Sequence, residues 1–96
     1  MLFRQVYLGE DHEWLAMATS GVGRVLMCLG RNREATAFFE DALAMRIRLH
    51  GDEHVRVAES LINFGIAQRH QRRYEEAINI NSKARAIFSK FLRIRE

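Results

Sequence analysis

Proline is absent from all 96 residues, so no position forbids a helix for want of a backbone donor. Cysteine occurs once, at Cys28. No internal disulfide can form, and a reducing, cytoplasmic location is the expectation. Lysine is nearly missing, with only Lys83 and Lys90, so the net charge of +3 is carried by arginine. No apolar run reaches the length a membrane-crossing helix needs, and no membrane association is expected. The opening Met-Leu-Phe-Arg-Gln-Val-Tyr-Leu lacks the long apolar core and small-residue cleavage site of a signal peptide. A chain this short makes at most one domain, residues 1–96, of modest stability because much of its surface stays wet.

What is present is helical periodicity. Ala35, Phe38, Phe39, Ala42 and Leu49 recur at three-, four- and seven-residue steps, as do Val57, Ala58, Leu61, Phe64 and Gly65. Between the two stripes lies Gly51-Asp52-Glu53-His54. Gly51 suits the end of one helix, and the Asp52 carboxylate suits the cap of the next.

The chain also repeats itself. At an offset of 42 residues Gly9 falls on Gly51, His12 on His54, Ala16 on Ala58 and Gly23 on Gly65. Arg31 falls on Arg73, Glu34 on Glu76, Ala35 on Ala77, Ala42 on Ala84 and Ala44 on Ala86. The shared residues are mostly small, as expected where stacked helices approach closely. The frame predicts a partial helix over 1–8, one repeat over 9–50 and another over 51–93. Its full helices are expected at about Asp11–Leu29, Arg33–His50, Glu53–Gln71 and Tyr74–Arg93. Gly30 suits the end of the first, whereas the matching Gln71-Arg72-Arg73 turn has no glycine. Leu15, Ala18, Thr19, Val22, Leu26 and Leu29 are expected inward in the first helix. Tyr74, Ala77, Ala84, Ile87, Phe88 and Phe91 are expected inward in the last.

Two helices per repeat, a small residue after a leucine, a glycine or basic turn and then Tyr-Glu-Glu-Ala resemble the tetratricopeptide repeat. The period and the Leu-Gly-Glu-Asp-His and His-Gly-Asp-Glu-His connectors are similar to the kinesin-light-chain variety. That variety exceeds the usual repeat of about 34 residues by roughly one turn per helix. The signature falls on Leu61, Phe64, Gly65, Tyr74, Ala77 and Ala84 in the second repeat. In the first it falls on Val22, Gly23, Gly30, Ala35, Phe39 and Ala42. Departures are Glu13 and Val55 in place of a proline, Thr19 and Gln68 in place of large apolar or aromatic residues, and Asn81 where the first repeat has Phe39. The resemblance implies an all-α, right-handed solenoid of antiparallel helix pairs, here four full helices and the partial one.

It further implies a concave groove lined by the first helix of each repeat, where a peptide or partner-protein segment lies. Carried over, that face is Met17, Ser20, Gly21, Arg24, Met27 and Cys28, then Glu59, Ile62, Asn63, Ile66, Arg69 and His70. These positions lie beside the apolar stripes. An Asn63 amide can bond a peptide backbone in both directions, and Arg24 can hold a carboxylate bidentately. Ile62 and Ile66 favour a more apolar ligand.

The histidines, His12, His50, His54 and His70, invite a metal reading, but no three ligands converge by spacing and none is expected. Asp11, Asp52 and Glu53 suit helix N-termini. Cys28 has no activating neighbour by spacing, and no paired carboxylates, phosphate loop or nucleophile motif appears, so neither catalysis nor a cofactor is expected. Apolar ends at Leu2, Phe3, Val6 and Tyr7 and at Phe88, Phe91, Leu92 and Ile94 suggest a piece of a longer array or self-association. RNA binding through Arg69, His70, Arg72 and Arg73 is the weaker reading, because few exposed aromatics are interleaved for base stacking. A purely architectural role is the third reading.

Overall fold

The computed structural model describes the backbone of residues 2–95 and the side chains of residues 13–92. Four helices follow in order: α1 (Leu2–Cys28), α2 (Asn32–His50), α3 (Val55–His70) and α4 (Tyr74–Arg95), with no strand among the described residues. The short turns between them fold α1 onto α2, α2 onto α3 and α3 onto α4, while α1 and α4 do not meet among the described residues. The result is a plate of about 43 × 41 × 16 Å.

The turns follow from local chemistry. Gly30 has φ 83°, with Arg31 N bonded to Leu26 O at 2.9 Å and Gly30 N to Met27 O at 3.0 Å. This paired closure ends a helix on a left-handed residue. The second turn closes in the same way, Arg73 N to Gln68 O at 2.9 Å and Arg72 N to Arg69 O at 2.9 Å. Lacking glycine, it forces Arg72 to φ 66°, uncommon for a residue with a side chain. Between the hairpins Gly51 takes φ 91° and ψ 171°, a region almost reserved for glycine. The cap of α3 is His54 rather than Asp52: its Nδ1 accepts from Arg56 N at 3.0 Å.

At its start the chain departs from the repeat frame. The partial helix over 1–8 and the new start near Asp11 are one element, because α1 is helical through Gly9–His12. A glycine inside a helix costs only about 1 kcal/mol, and no proline enforces a stop. The equivalent 51–54 segment does break, at the positive φ of Gly51.

Two buried clusters hold the plate. Ala35, Phe39 and Ala67 pack with Leu26, Met27 and Phe64; Val57, Ala58, Leu61, Ala84 and Ile87 pack with Leu43, Ile80 and Phe88. Phe39 is fully buried, and burying such a ring contributes about 1.5–3 kcal/mol. Gly23 and Gly65 are both buried, Gly23 against the Phe39 ring and Gly65 against Asn81 and Ile80. Asn81 thus takes the place on the second hairpin that Phe39 takes on the first.

Several residues expected inward face water instead. On α1 these are Leu15, Ala18 and Val22, with Leu29 just after it; elsewhere they are Phe38, Tyr74 and Phe91. Most of the discrepancy has one cause. α3 is flanked by both α2 and α4, whereas α1 has only α2 as a full neighbour among the described residues.

Candidate functional site

Along the trough between α1 and α3 lies a cavity of about 420 Å³. α1 contributes Met17, Ser20 and Arg24, and α3 contributes Arg56, Glu59, Ile62 and Asn63. Arg46 reaches it from α2 beneath. Six of the twelve groove residues expected from sequence therefore share one wall-and-floor arrangement. The other six lie elsewhere: Met27 packs into the Phe39 cluster, Gly21 and Ile66 are half-buried, and Arg69, His70 and Cys28 are exposed.

Arg46 and Arg56 are the residues sequence reasoning missed. A signal existed for Arg46, since its counterpart 42 residues on is Phe88, so a cation stands at a core register. Arg46 is 3% exposed. Its Nη2 donates to Glu13 Oε2 at 2.8 Å, and its Nη1 to Ser60 Oγ at 3.0 Å and the Arg56 carbonyl at 3.2 Å. Glu13 also meets His50 Nε2 at 2.9 Å and lies 3.8 Å from Arg56 Nε. Arg56 bridges to Glu59 at 3.3 Å. The two acids thereby tie the first three helices together under the groove.

Two buried polar atoms of the lining residues have no partner among the described residues: Ser20 Oγ, on a residue 5% exposed, and Arg46 Nε. An unpaired buried donor or acceptor costs about 1–3 kcal/mol, so a ligand atom that satisfied either would be favoured. Arg24 has no acid within ion-pair distance among the described residues. The cavity can therefore accept a hydrogen-bonding or anionic group, while Met17 and Ile62 offer apolar contact at its lip.

Burial opposes the charge on Glu13 and works to raise its pKa. Hydrogen bonds from His50 and Arg46, with the charges of Arg46 and Arg56, outweigh burial and hold the pKa below 4.5. A carboxylate whose folded pKa is depressed stabilises the fold above its unfolded pKa, and that stability is lost as pH falls through the folded value. The urea midpoint of the protein should therefore drop between about pH 5 and about pH 3 more steeply than that of Glu13→Gln. Equal slopes would mean that the pairing contributes nothing.

His50 and His54 are committed to structure, His70 is exposed, and the side chain of His12 lies outside the described residues. His50 and His54 stack at 4.2 Å between ring centroids, with Phe91 edge-on to His54 at 6.4 Å. Among the described residues no three side chains converge as a metal site. No described helix is long and apolar enough to cross a membrane. The arginine cluster of the second turn is offset by its neighbours: Arg72 and Arg73 line a shallow hollow with Glu75 and Glu76, and Arg73 lies 3.8 Å from Glu76.

Residues 14–90 match the family pattern of the tetratricopeptide repeat. The chain is 28% identical over 97 residues to the clustered mitochondria protein homolog of Aedes aegypti, and 27% over 97 residues to that of Culex quinquefasciatus. Each alignment covers 96% of this chain and 7% of the relative, so the chain spans a small part of those proteins' length. No solved structure matches at comparable significance. Paired helices, glycines pressed against facing side chains and the match over 14–90 agree: this chain belongs to the tetratricopeptide repeat family.

Proposed function

We propose that the trough between α1 and α3 binds an extended segment of a partner protein and seats a carboxylate or backbone amide of that segment in the cavity. The observation that carries this reading is the pair of unsatisfied buried atoms, Ser20 Oγ and Arg46 Nε, on residues lining a cavity of about 420 Å³. Arg24 supplies a charge-assisted contact to a carboxylate, Asn63 pairs with the peptide backbone, and Met17 and Ile62 cover an adjacent apolar side chain. Ile66, Arg69 and His70 extend the contact beyond the cavity along α3. We read the repeats as the kinesin-light-chain-like variety, from their period and connectors. The role is that of a binding module, not an enzyme. The relatives' name speaks of mitochondrial clustering, and in a protein of that kind such a module would contribute one docking surface.

Selection from a random-peptide display library against the whole chain tests this. Enriched sequences should carry Asp or Glu beside an apolar residue. Arg24→Ala and Asn63→Ala should each weaken a selected peptide about tenfold, roughly 1.4 kcal/mol. Unchanged affinity in both variants would remove the groove from the interaction.

A further inference from the structure

Inside the plate, α2 packs against α3 through a junction that includes polar contacts, among them an Arg46–Glu59 ion pair at 3.8 Å. Gln71 Nε2 donates to Thr36 Oγ1 at 2.6 Å. Arg46 Nη1 donates to Ser60 Oγ at 3.0 Å and to the Arg56 carbonyl at 3.2 Å. Shifted by the 42-residue period, α4 occupies the register of α2, and α1 that of α3. The outer flanks of the plate are thus the two halves of a second such junction.

Both halves change chemistry together. Thr36 corresponds to Ile78 on α4, and its partner Gln71 to Leu29, which follows α1; these are 63% and 65% exposed. Arg46 corresponds to half-buried Phe88 and Ser60 to exposed Ala18, while Arg56, which takes part through its backbone carbonyl, corresponds to Trp14, 73% exposed. Where the internal junction pairs polar side chains, Gln71 with Thr36 and Arg46 with Ser60, the flanks offer apolar to apolar. Between these points Val22 and Val25 are exposed, yet their counterparts Phe64 and Ala67 pack with Ala35 and Phe39 of α2. One apolar flank alone would be an ordinary patch. At those partnered positions the two flanks change from polar to apolar in the same sense and form a matched pair, while the template's Phe39 and Leu43 give way to exposed Asn81 and Arg85 on α4.

We propose that α4 of one copy docks on α1 of another as α2 docks on α3, joining copies head to tail. Ile78 then meets Leu29, Phe88 meets Ala18 and Trp14, and the stem of Arg85, at the register of Leu43, lies along Leu15. Such a contact uses different faces on the two copies, so each end of an assembly stays free to add another. A single helix pair buries less than the roughly 1,200 Å² of a stable interface, so association belongs at high protein concentration.

Sedimentation velocity of the whole chain across a concentration series tests this. The average mass should rise past that of a dimer. Val25→Lys and Ile78→Lys, both at exposed positions, should each remain monomeric with unchanged helical circular dichroism. Mixed in equal amounts they should form a 1:1 dimer and stop there, because one junction survives between the intact α4 of the first and the intact α1 of the second. A wild-type chain monomeric throughout would overturn the proposal and assign the flanks to neighbouring repeats of a longer protein. A wild-type assembly that stops at two copies, single variants that associate like wild type, or a mixture that stays monomeric would each overturn it too.

Discussion

Arg46→Ala should destabilise the protein by about 3 kcal/mol, the largest loss expected from a single truncation at the groove. Removing one member of a buried ion pair typically costs about 3–5 kcal/mol, because the remaining charge is left uncompensated. Here the abandoned group is Glu13, whose side chain is 23% exposed and keeps its contact to His50, so the lower end applies. Ser60 Oγ and the Arg56 carbonyl lose a donor at the same time. Against a total stability of about 5–15 kcal/mol this is a large fraction, and for a chain of this size the thermal midpoint should fall by more than about 10 °C. Replacing the charges together separates pairing from packing. Arg46→Met with Glu13→Gln should recover most of the loss, since no uncompensated charge is then left where the Arg46–Glu13 pair stood. A double variant as unstable as Arg46→Ala would show that shape, not charge, governs the position. Urea denaturation of the three proteins decides the matter.

The two buried glycines should respond in opposite ways to alanine. A methyl on Gly23 would stand 2.7 Å from Phe39 Cε1, 3.0 Å from Cδ1 and 3.1 Å from Cζ. The ring is fully buried and has nowhere to swing, so overpacking of about 1–3 kcal/mol is expected. The helix gains back at most about 1 kcal/mol when alanine replaces glycine. Gly23→Ala should therefore lose about 1–2 kcal/mol net. A methyl on Gly65 would stand 2.6 Å from Asn81 Oδ1 but 3.5 Å from Ile80 Cγ2, an ordinary contact. Asn81 is exposed and its amide can rotate into solvent, so Gly65→Ala should be neutral or slightly stabilising. Adding Phe39→Leu to Gly23→Ala should return part of the loss by vacating the contested space. Equal losses at both glycines in chemical denaturation would contradict this account.

Much of this architecture was legible in the sequence, and the reason is geometric. Gly23 and Gly65 recur at the offset where facing side chains approach their backbones, so the period itself recorded the contacts. The buried stripe of α2 and α3 followed from the 3.6-residue spacing of Ala35, Phe39, Ala42, Val57, Ala58 and Leu61. Six cavity residues were found because they lie beside those stripes on the first helix of each repeat. What stayed hidden depended on context. Gly9 and Gly51 look alike in sequence, yet only Gly51 adopts a turn, since a lone glycine permits a break without compelling one. Leu15, Val22 and Leu29 look like core because spacing reports an apolar flank but not whether anything covers it. The cap passed from Asp52 to His54 because a ring nitrogen met the free amide of Arg56. Arg46 was passed over since periodicity arguments look for apolar residues on an inner face, and a cation there becomes intelligible only with Glu13 and Ser60 in place.

That α1 and α4 do not touch among the described residues has a mechanical consequence. Each helix is fastened mainly to the next along the chain, so the molecule is laced like a zipper rather than clasped like a ball. Either outermost rod can peel away while the inner two hold, and amides near the middle should outlast those at the margins in deuterium exchange. Tugged by its termini, the plate would lengthen one rod at a time instead of giving way in a single rupture.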